Sequence, residues 1–463
     1  MNIILLEPEP KSFPSAVAYA LARYSRSEDS LAEIQEELLG DPETAAERLA
    51  KIFHGYGHDS VAGMAHLGVA LEGISILDSL RFFYTCPLGD GQERSTRYQS
   101  RFLPWVDKEQ PLVYRQAYLE LLNSLLTRYY AVIPRCEEAL GKSYPPRNER
   151  ERKTLHLRAL DCARYLLPLG VRTSLGQVQS ARAWRNYLKY LGGLPDSSSR
   201  KIRCGLQAEL EASGIGLLMR HCEPPDIKPL RVNPRSRPSK QELMADQPSV
   251  EVALVEQQLA LEMVAHHPVW QERELEVYAK LSDYLMQFGH REYCRVANVG
   301  AIRIRGYSDL GTIKDLNRHR SLEKFIPFLE PGYNLTSDLL RERPYELPPY
   351  PEVAELFDLE EHYKRVWEFY REMAHGYVSP ADHYYHCKCL LPQAHRAAYH
   401  FYGSPADYLY TIQLRVRPGG HLRYRQEVAR WAQALAELSP MWERLAQTCP
   451  VPQETVETFF SRG

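Results

Sequence analysis

The sequence predicts a helix-rich α+β fold present twice in tandem, each copy with a mixed or antiparallel sheet and long helices. Three observations predict it. Segments with apolar residues at helical spacing dominate the 463-residue chain, strand-like alternation is scarce and short, and a proline-rich stretch near the middle separates two regions that repeat one another in order. A chain of this length exceeds one compact core and suits two or three domains, which leaves room for a duplication.

Helical spacing runs over 14–25, 29–53, 113–141, 150–167, 180–190, 200–213, 250–290, 359–375, 404–414 and 424–447. Strand candidates lie at 3–6, 65–72, 80–85 and 296–305, each with β-branched or alternating apolar residues. Between 223 and 248 the text EPPDIKPLRVNPRSRPSKQELMADQP carries prolines too closely spaced for a long helix, so it reads as a linker between repeats at 1–222 and 249–463. Its basic run KPLRVNPRSRPSK reads as a solvated connector.

The repeat rests on residues. GHDSVAGMAHLGVALEGIS from Gly57 pairs with GHREYCRVANVGAIRIRGYS from Gly289 with one gap, after which Gly73 falls on Gly306 at an offset of 233 (306 minus 73). CARYLLP at 162–168 pairs with CKCLLP at 387–392 at an offset of 224 (392 minus 168). Each match alone is weak, because Leu-Leu-Pro is common. Their shared order supports duplication.

Composition narrows the class. The chain is 44% hydrophobic and 25% charged, as a globular protein is, and its net charge of -2 argues against wrapping nucleic acid by general positive charge. The opening MNIILLEPEP has no basic leader and reads as a strand, and no stretch is long enough for a membrane span. Nine cysteines without a C-x-x-C pair fit reduced thiols. A soluble, cytoplasmic protein is the expectation, with no membrane and no nucleic acid among its partners. No G-x-G-x-x-G or G-x-x-x-x-G-K-[ST] motif supports a Rossmann or P-loop account.

Four motifs carry a family resemblance across about 57–190: GHDSVAGMAH, ERSTRY at 93–98, CARYLLP, and SARAWRNYL at 180–188. In order and spacing this region resembles the flavin-dependent thymidylate synthases, which make dTMP from dUMP with methylenetetrahydrofolate, NADPH and FAD. Ala65 stands where the family has Glu, and Ser180 where it has Asn. The family signature is Arg-His-Arg, seven residues, then Ser-x-Arg-Tyr. Counting back from Ser95 puts Thr85-Cys86-Pro87 at the first three positions, whereas the offset of 233 carries those positions onto Arg318-His319-Arg320. The second copy in turn has Phe328 and Glu330 where Ser95 and Arg97 stand in the first. Arginines show the same split: Arg164 matches the family's first nucleotide-contacting arginine against Lys388 in copy two, and Arg415 matches the second against Leu191 in copy one.

The resemblance implies one composite site pooled from both copies and a second that is dead. Glu93, Ser95, Arg97, Tyr98, Arg164 and Arg415 would meet the nucleotide, with Ser95, Arg97 and Arg415 catalytic. Arg318, His319 and Arg320 would hold FAD, joined by Arg182 and Asn186 from the helix that meets the cofactor in the family. Family members are homotetramers, so a double-length chain would be a homodimer. Physically, arginine forks suit phosphate and can stabilise charge on ring oxygens, and a serine hydroxyl both donates and accepts at close range. The bland alternatives are an exposed Arg-His-Arg on a helix face, a Ser95 that only bonds its own backbone, and His58 and His66 as structural histidines. HYYHCKC at 383–389 admits a metal reading but lacks a second ligand pair, so it is read as a core-facing helix, with no metal expected. A degenerate homologue serving as a structural or nucleotide-sensing protein, and a different flavin enzyme acting on modified pyrimidines, stay open as functions.

Overall fold

A computed structural model describes residues 1–223, 241–254, 301–330, 340–373, 377–437 and 442–461, apart from positions 7, 9, 10, 26, 57, 58, 87, 88, 100, 221, 242, 243, 246, 247 and 341. Most of the linker and of the helix expected over 250–290 lies outside these residues, as do Gly57, His58 and the repeat's second opening from Gly289 to position 300. The chain forms two compact units, one of Met1–Leu119, Leu169–Asn233 and Tyr370–Cys389, the other of Glu120–Pro168, Pro234–Phe369 and Leu390–Gly463. Each therefore includes a helical segment drawn from the other half of the sequence.

The first unit is built on an antiparallel sheet in the order β1-β2-β4-β3, with β1 Asn2–Leu6, β2 His66–Ser75, β3 Asp90–Glu93 and β4 Arg172–Ser180. Its central pair runs from His66 opposite Ser180 to Ser75 opposite Arg172, with a bulge at Gly73, whose φ of 70° suits glycine. Leu67, Val69 and Leu71 alternate into a core that also holds Phe82, Trp184 and Tyr187. The segment expected as a strand over 80–85 is the second half of a helix, Ile76–Thr85. Its aromatic run suggests β structure, but Ser75 and Asp78 form a capping box that starts the helix, and burial of Ile76, Leu77, Leu80 and Phe83 holds it on the core. The helix expected over 29–53 is two, Leu31–Gly40 and Pro42–Tyr56, parted at Asp41 before a proline.

The second unit repeats the strand order: β5 Ser249–Leu254, β6 Ala301–Asp309, β8 Arg396–Gly403 and β7 Glu323–Phe325 form an antiparallel sheet β5-β6-β8-β7. Residues 250–254, expected as helix, are thus a strand. Asp309 caps the next helix, Leu310–Leu316, and Ser404 caps Pro405–Arg415, as Ser180 caps Ala181–Gly193 in the first unit. Cap to cap, Ser75 corresponds to Asp309 at an offset of 234 (309 minus 75), one more than the motif count. Tyr84-Thr85-Cys86 then stand opposite Arg318-His319-Arg320. The core here centres on Tyr399, Phe401, Tyr408 and Trp431, with the Trp431 Nε1 donating to the Tyr399 hydroxyl at 2.8 Å. Among the described residues, no helix is long and apolar enough to cross a membrane.

Candidate functional site

Arg164 sits in the Arg164–Leu166 turn that ends the Glu149–Ala163 helix, and within the second unit it points at the Leu310–Leu316 helix. Its Nη1 donates to Asp315 Oδ2 at 3.0 Å, and the arginine is only 8% exposed. Arg415, last residue of Pro405–Arg415, donates through Nη2 to the Asp315 main-chain oxygen at 3.1 Å and through Nε to Nε2 of His319. His319 is buried, and its other ring nitrogen meets the Thr411 hydroxyl at 3.4 Å. Thus Arg164 from one half of the sequence and His319 and Arg415 from the other converge on a single turn of helix. Arg318 and Arg320 flank His319 on the same segment, both partly exposed.

Charge in this cluster is tightly ordered. Burial pushes the Asp315 carboxyl up, but Arg164, Arg318, Lys314 and Arg415 together hold it well below the usual carboxylate range. His319 is driven well below its ordinary value by burial and then by Arg415 and Lys324, so it is a neutral imidazole that accepts from Arg415. Asp315 was not singled out in the sequence. Its only signal there is an acid one helical turn before Arg318, on the face that meets the arginines.

The remaining candidates belong to the first unit. Glu93 ends β3 and is buried, with Oε1 accepting from the Thr173 hydroxyl at 3.3 Å. Ser95 caps the short Thr96–Tyr98 turn, its Oγ accepting from the Arg97 main-chain N–H at 3.3 Å, so its own backbone does take that hydroxyl. Ser95 and Arg97 are both partly exposed, and the Tyr98 side chain lies outside the described set. Arg182, in the first turn of Ala181–Gly193, packs close to Gly63, whereas Asn186 is exposed on that helix. The two residues that depart from the family pattern have structural roles here: Ser180 is an N-cap whose Oγ accepts from the Ala183 N–H at 3.2 Å, and Ala65 is fully buried with its oxygen taken by the Ala181 N–H. His66 is exposed, with Nδ1 against the Met64 oxygen.

At the matching helix of the first unit the chemistry differs. Asp78 Oδ2 accepts from the hydroxyls of Ser75, Ser198 and Tyr385 at 2.8, 2.9 and 2.8 Å, and burial raises its carboxyl pKa. Arg81 pairs with Asp196 at 2.9 Å and lies over the Tyr385 ring. These groups bond one another in a buried network, in which Arg81 Nε alone of the named donors has no partner. His383, His386, Cys387 and Cys389 of HYYHCKC are buried in the same unit, the two histidines against the Tyr114 hydroxyl at 3.0 and 3.3 Å.

The second unit thus carries clustered arginines around a neutral histidine and a buried carboxylate, and comparison with known proteins shows what the chain is similar to. Residues 9–192 match the family model described as thymidylate synthase complementing protein. The chain is 24% identical over 451 residues to a UPF0159 protein of Chlamydia pneumoniae, covering 87% of this chain and 80% of that one. It is 27% identical over 214 residues to a UPF0159 protein of Chlamydia muridarum, covering 39% and 40%. A UPF0159 protein of Thermoplasma acidophilum is 25% identical over 219 residues, covering 38% of this chain and 43% of its own length.

Proposed function

We propose that the chain is a flavin-dependent thymidylate synthase-like enzyme that methylates dUMP, or a related pyrimidine nucleotide, to its 5-methyl form. Methylenetetrahydrofolate and NADPH would be its co-substrates and FAD its cofactor, in a cytoplasmic homodimer of two diverged tandem copies. The observation that carries the reading is the family match over 9–192 joined to the convergence of Arg164, His319 and Arg415 on one helix. The shared strand order and matching caps support the duplication.

The second unit's residues fit an anionic flavin nucleotide by charge: Arg415 and Lys324 act on a histidine held neutral, Arg164, Arg318, Lys314 and Arg415 act on the neighbouring Asp315, and Arg164 keeps two buried donors, Nε and Nη2, without a partner. Arg318, His319 and Arg320, with Arg182 and Asn186, are the residues that would hold FAD, which when bound supplies the hydride. This chain's part is to bind and orient. Arg164 and Arg415 would donate to oxygens of the pyrimidine nucleotide and stabilise negative charge building on its ring. Ser95, Arg97, Glu93 and Tyr98 enter through their motif.

The test is direct. The purified protein should be yellow and bleach with NADPH, and label at C5 of dUMP should be released on turnover. A colourless protein that neither binds flavin nor releases label would reject the enzyme and favour a nucleotide-sensing homologue.

A further inference from the structure

Each unit keeps a cavity at the same place in its fold. Arg172 starts β4 opposite the Ser75 cap, and Arg396 starts β8 opposite the Asp309 cap, an offset of 224 (396 minus 172). Two residues before each arginine, the main-chain oxygens of Gly170 and Ala394 accept from the N–H groups of Trp105 at 2.7 Å and Glu346 at 2.8 Å. Glu346 therefore stands in the second unit where Trp105 stands in the first. Ser198 and Arg423 match in turn, each the second residue of a helix, Ser197–Glu211 or Leu422–Ala436. The first-unit cavity, of about 370 Å³, includes Trp105, Arg172 and Ser198, and the second-unit cavity, of about 670 Å³, includes Glu346 and Arg423.

The second unit fills this place with its own carboxylate. Glu346 Oε2 accepts from Arg396 Nη1, and Oε1 from Arg423 Nη2 at 2.8 Å. The first unit has Trp105 in place of that carboxylate and Ser198 in place of the second arginine, yet it keeps Arg172. The Arg172 Nε donates to the Pro104 oxygen at 2.9 Å, and Nη1 and Nη2 have no partner among the described residues. Lys108, also on the cavity, forms no ion pair among the described residues. Asp107 and Lys201 meet there at 2.6 Å and offset each other's charge. Two uncompensated cations thus share a cavity with Trp105, Ile74 and Ile202. Arginine's planar fork matches a carboxylate, and an apolar wall takes the body that carries it.

We propose that the first-unit cavity is a binding site for a small organic monocarboxylate, with the carboxylate on Arg172 and Lys108 and an apolar body against Trp105, Ile74 and Ile202. Glu346 is the built-in counterpart of that ligand in the second unit. The site uses no residue of the arginine cluster around Asp315 and is independent of the function proposed above.

Calorimetric titration of the full-length protein with benzoate, acetate and inorganic phosphate tests it on the natural chain, Arg172→Gln and Lys108→Gln. Benzoate should bind the natural chain saturably at or below about 10 mM, and at least about tenfold more tightly than acetate or phosphate. Arg172→Gln should lose at least about tenfold in benzoate affinity, and Lys108→Gln about two- to threefold. Natural protein that takes up no benzoate, or that takes acetate or phosphate as tightly, overturns the proposal. Unchanged benzoate affinity in a folded Arg172→Gln overturns it too, because the ligand then sits elsewhere. Should Arg172→Gln fail to fold, Lys108→Gln decides, since its side chain bonds nothing among the described residues; unchanged benzoate affinity there overturns the assignment.

Discussion

Replacing Asp107 by Asn removes a buried carboxylate that four donors surround. Oδ1 accepts from the Glu109 N–H at 3.0 Å and from Lys201 Nζ at 2.6 Å, and Oδ2 from Gln110 Nε2 at 3.2 Å and Ser197 Oγ at 2.9 Å. Burial alone would raise its pKa, but the Lys201 bond, then those from Glu109, Gln110 and Ser197, bring it from 3.8 down to about 2. That displacement corresponds to about 2.5 kcal/mol at 1.36 kcal/mol per unit. Lys201 is 39% exposed and its charge is screened, so about 1–2 kcal/mol is the expected loss at pH 7. Because the folded value is the lower one, the stability is present above about pH 4 and is lost as pH falls towards 2. Urea denaturation of both proteins, from pH 7 to the lowest pH at which both still fold, should show a gap that narrows below about pH 4. A gap of constant size down the series would mean packing, not charge, and would refute the assignment.

Three further changes probe other links. Trp184→Ala empties a core position and frees the Leu67 oxygen that Nε1 meets at 3.1 Å, so chemical denaturation should register a loss of about 3–5 kcal/mol; a loss under 1 kcal/mol would place that ring outside the load of the core. Ser180→Ala should cost about 1 kcal/mol of stability by removing an N-cap, and Ser180→Asn should restore it, as denaturation midpoints would show. Arg97→Ala and Arg318→Ala should each abolish label release from dUMP while leaving the fold intact by circular dichroism. Equal losses from Thr85→Ala and Phe328→Ala in correctly folded protein would argue against a single pooled site.

Much of the architecture was legible because helices announce themselves through spacing and caps. The segment over 14–25 is the helix Phe13–Tyr24, and 404–414 is Pro405–Arg415 behind its Ser404 cap. What escaped had local sequence pulling against tertiary context. Phe82 and Phe83 favour strand locally, yet the Ser75 capping box sets a helix; β4 and β8, with the mixed texts RTSLGQVQS and RAAYHFYG, become central strands through their partners. The site was legible as motif and not as electrostatics. Arg-His-Arg and the pairing of Arg164 with Arg415 could be counted along the chain, whereas the Asp315 counter-charge and the neutral state of His319 arise only once helices from distant sequence meet.

The traded segments have a consequence for how the chain is made. A ribosome delivers residues 1–119 and 169–233 well before 370–389, so the first unit cannot close until most of the polypeptide has emerged. Its sheet can form early, but the helix bearing Tyr385 arrives late, and until then Asp78 lacks one of its three hydroxyl donors. Such long-range closure slows folding and keeps apolar surface open during synthesis.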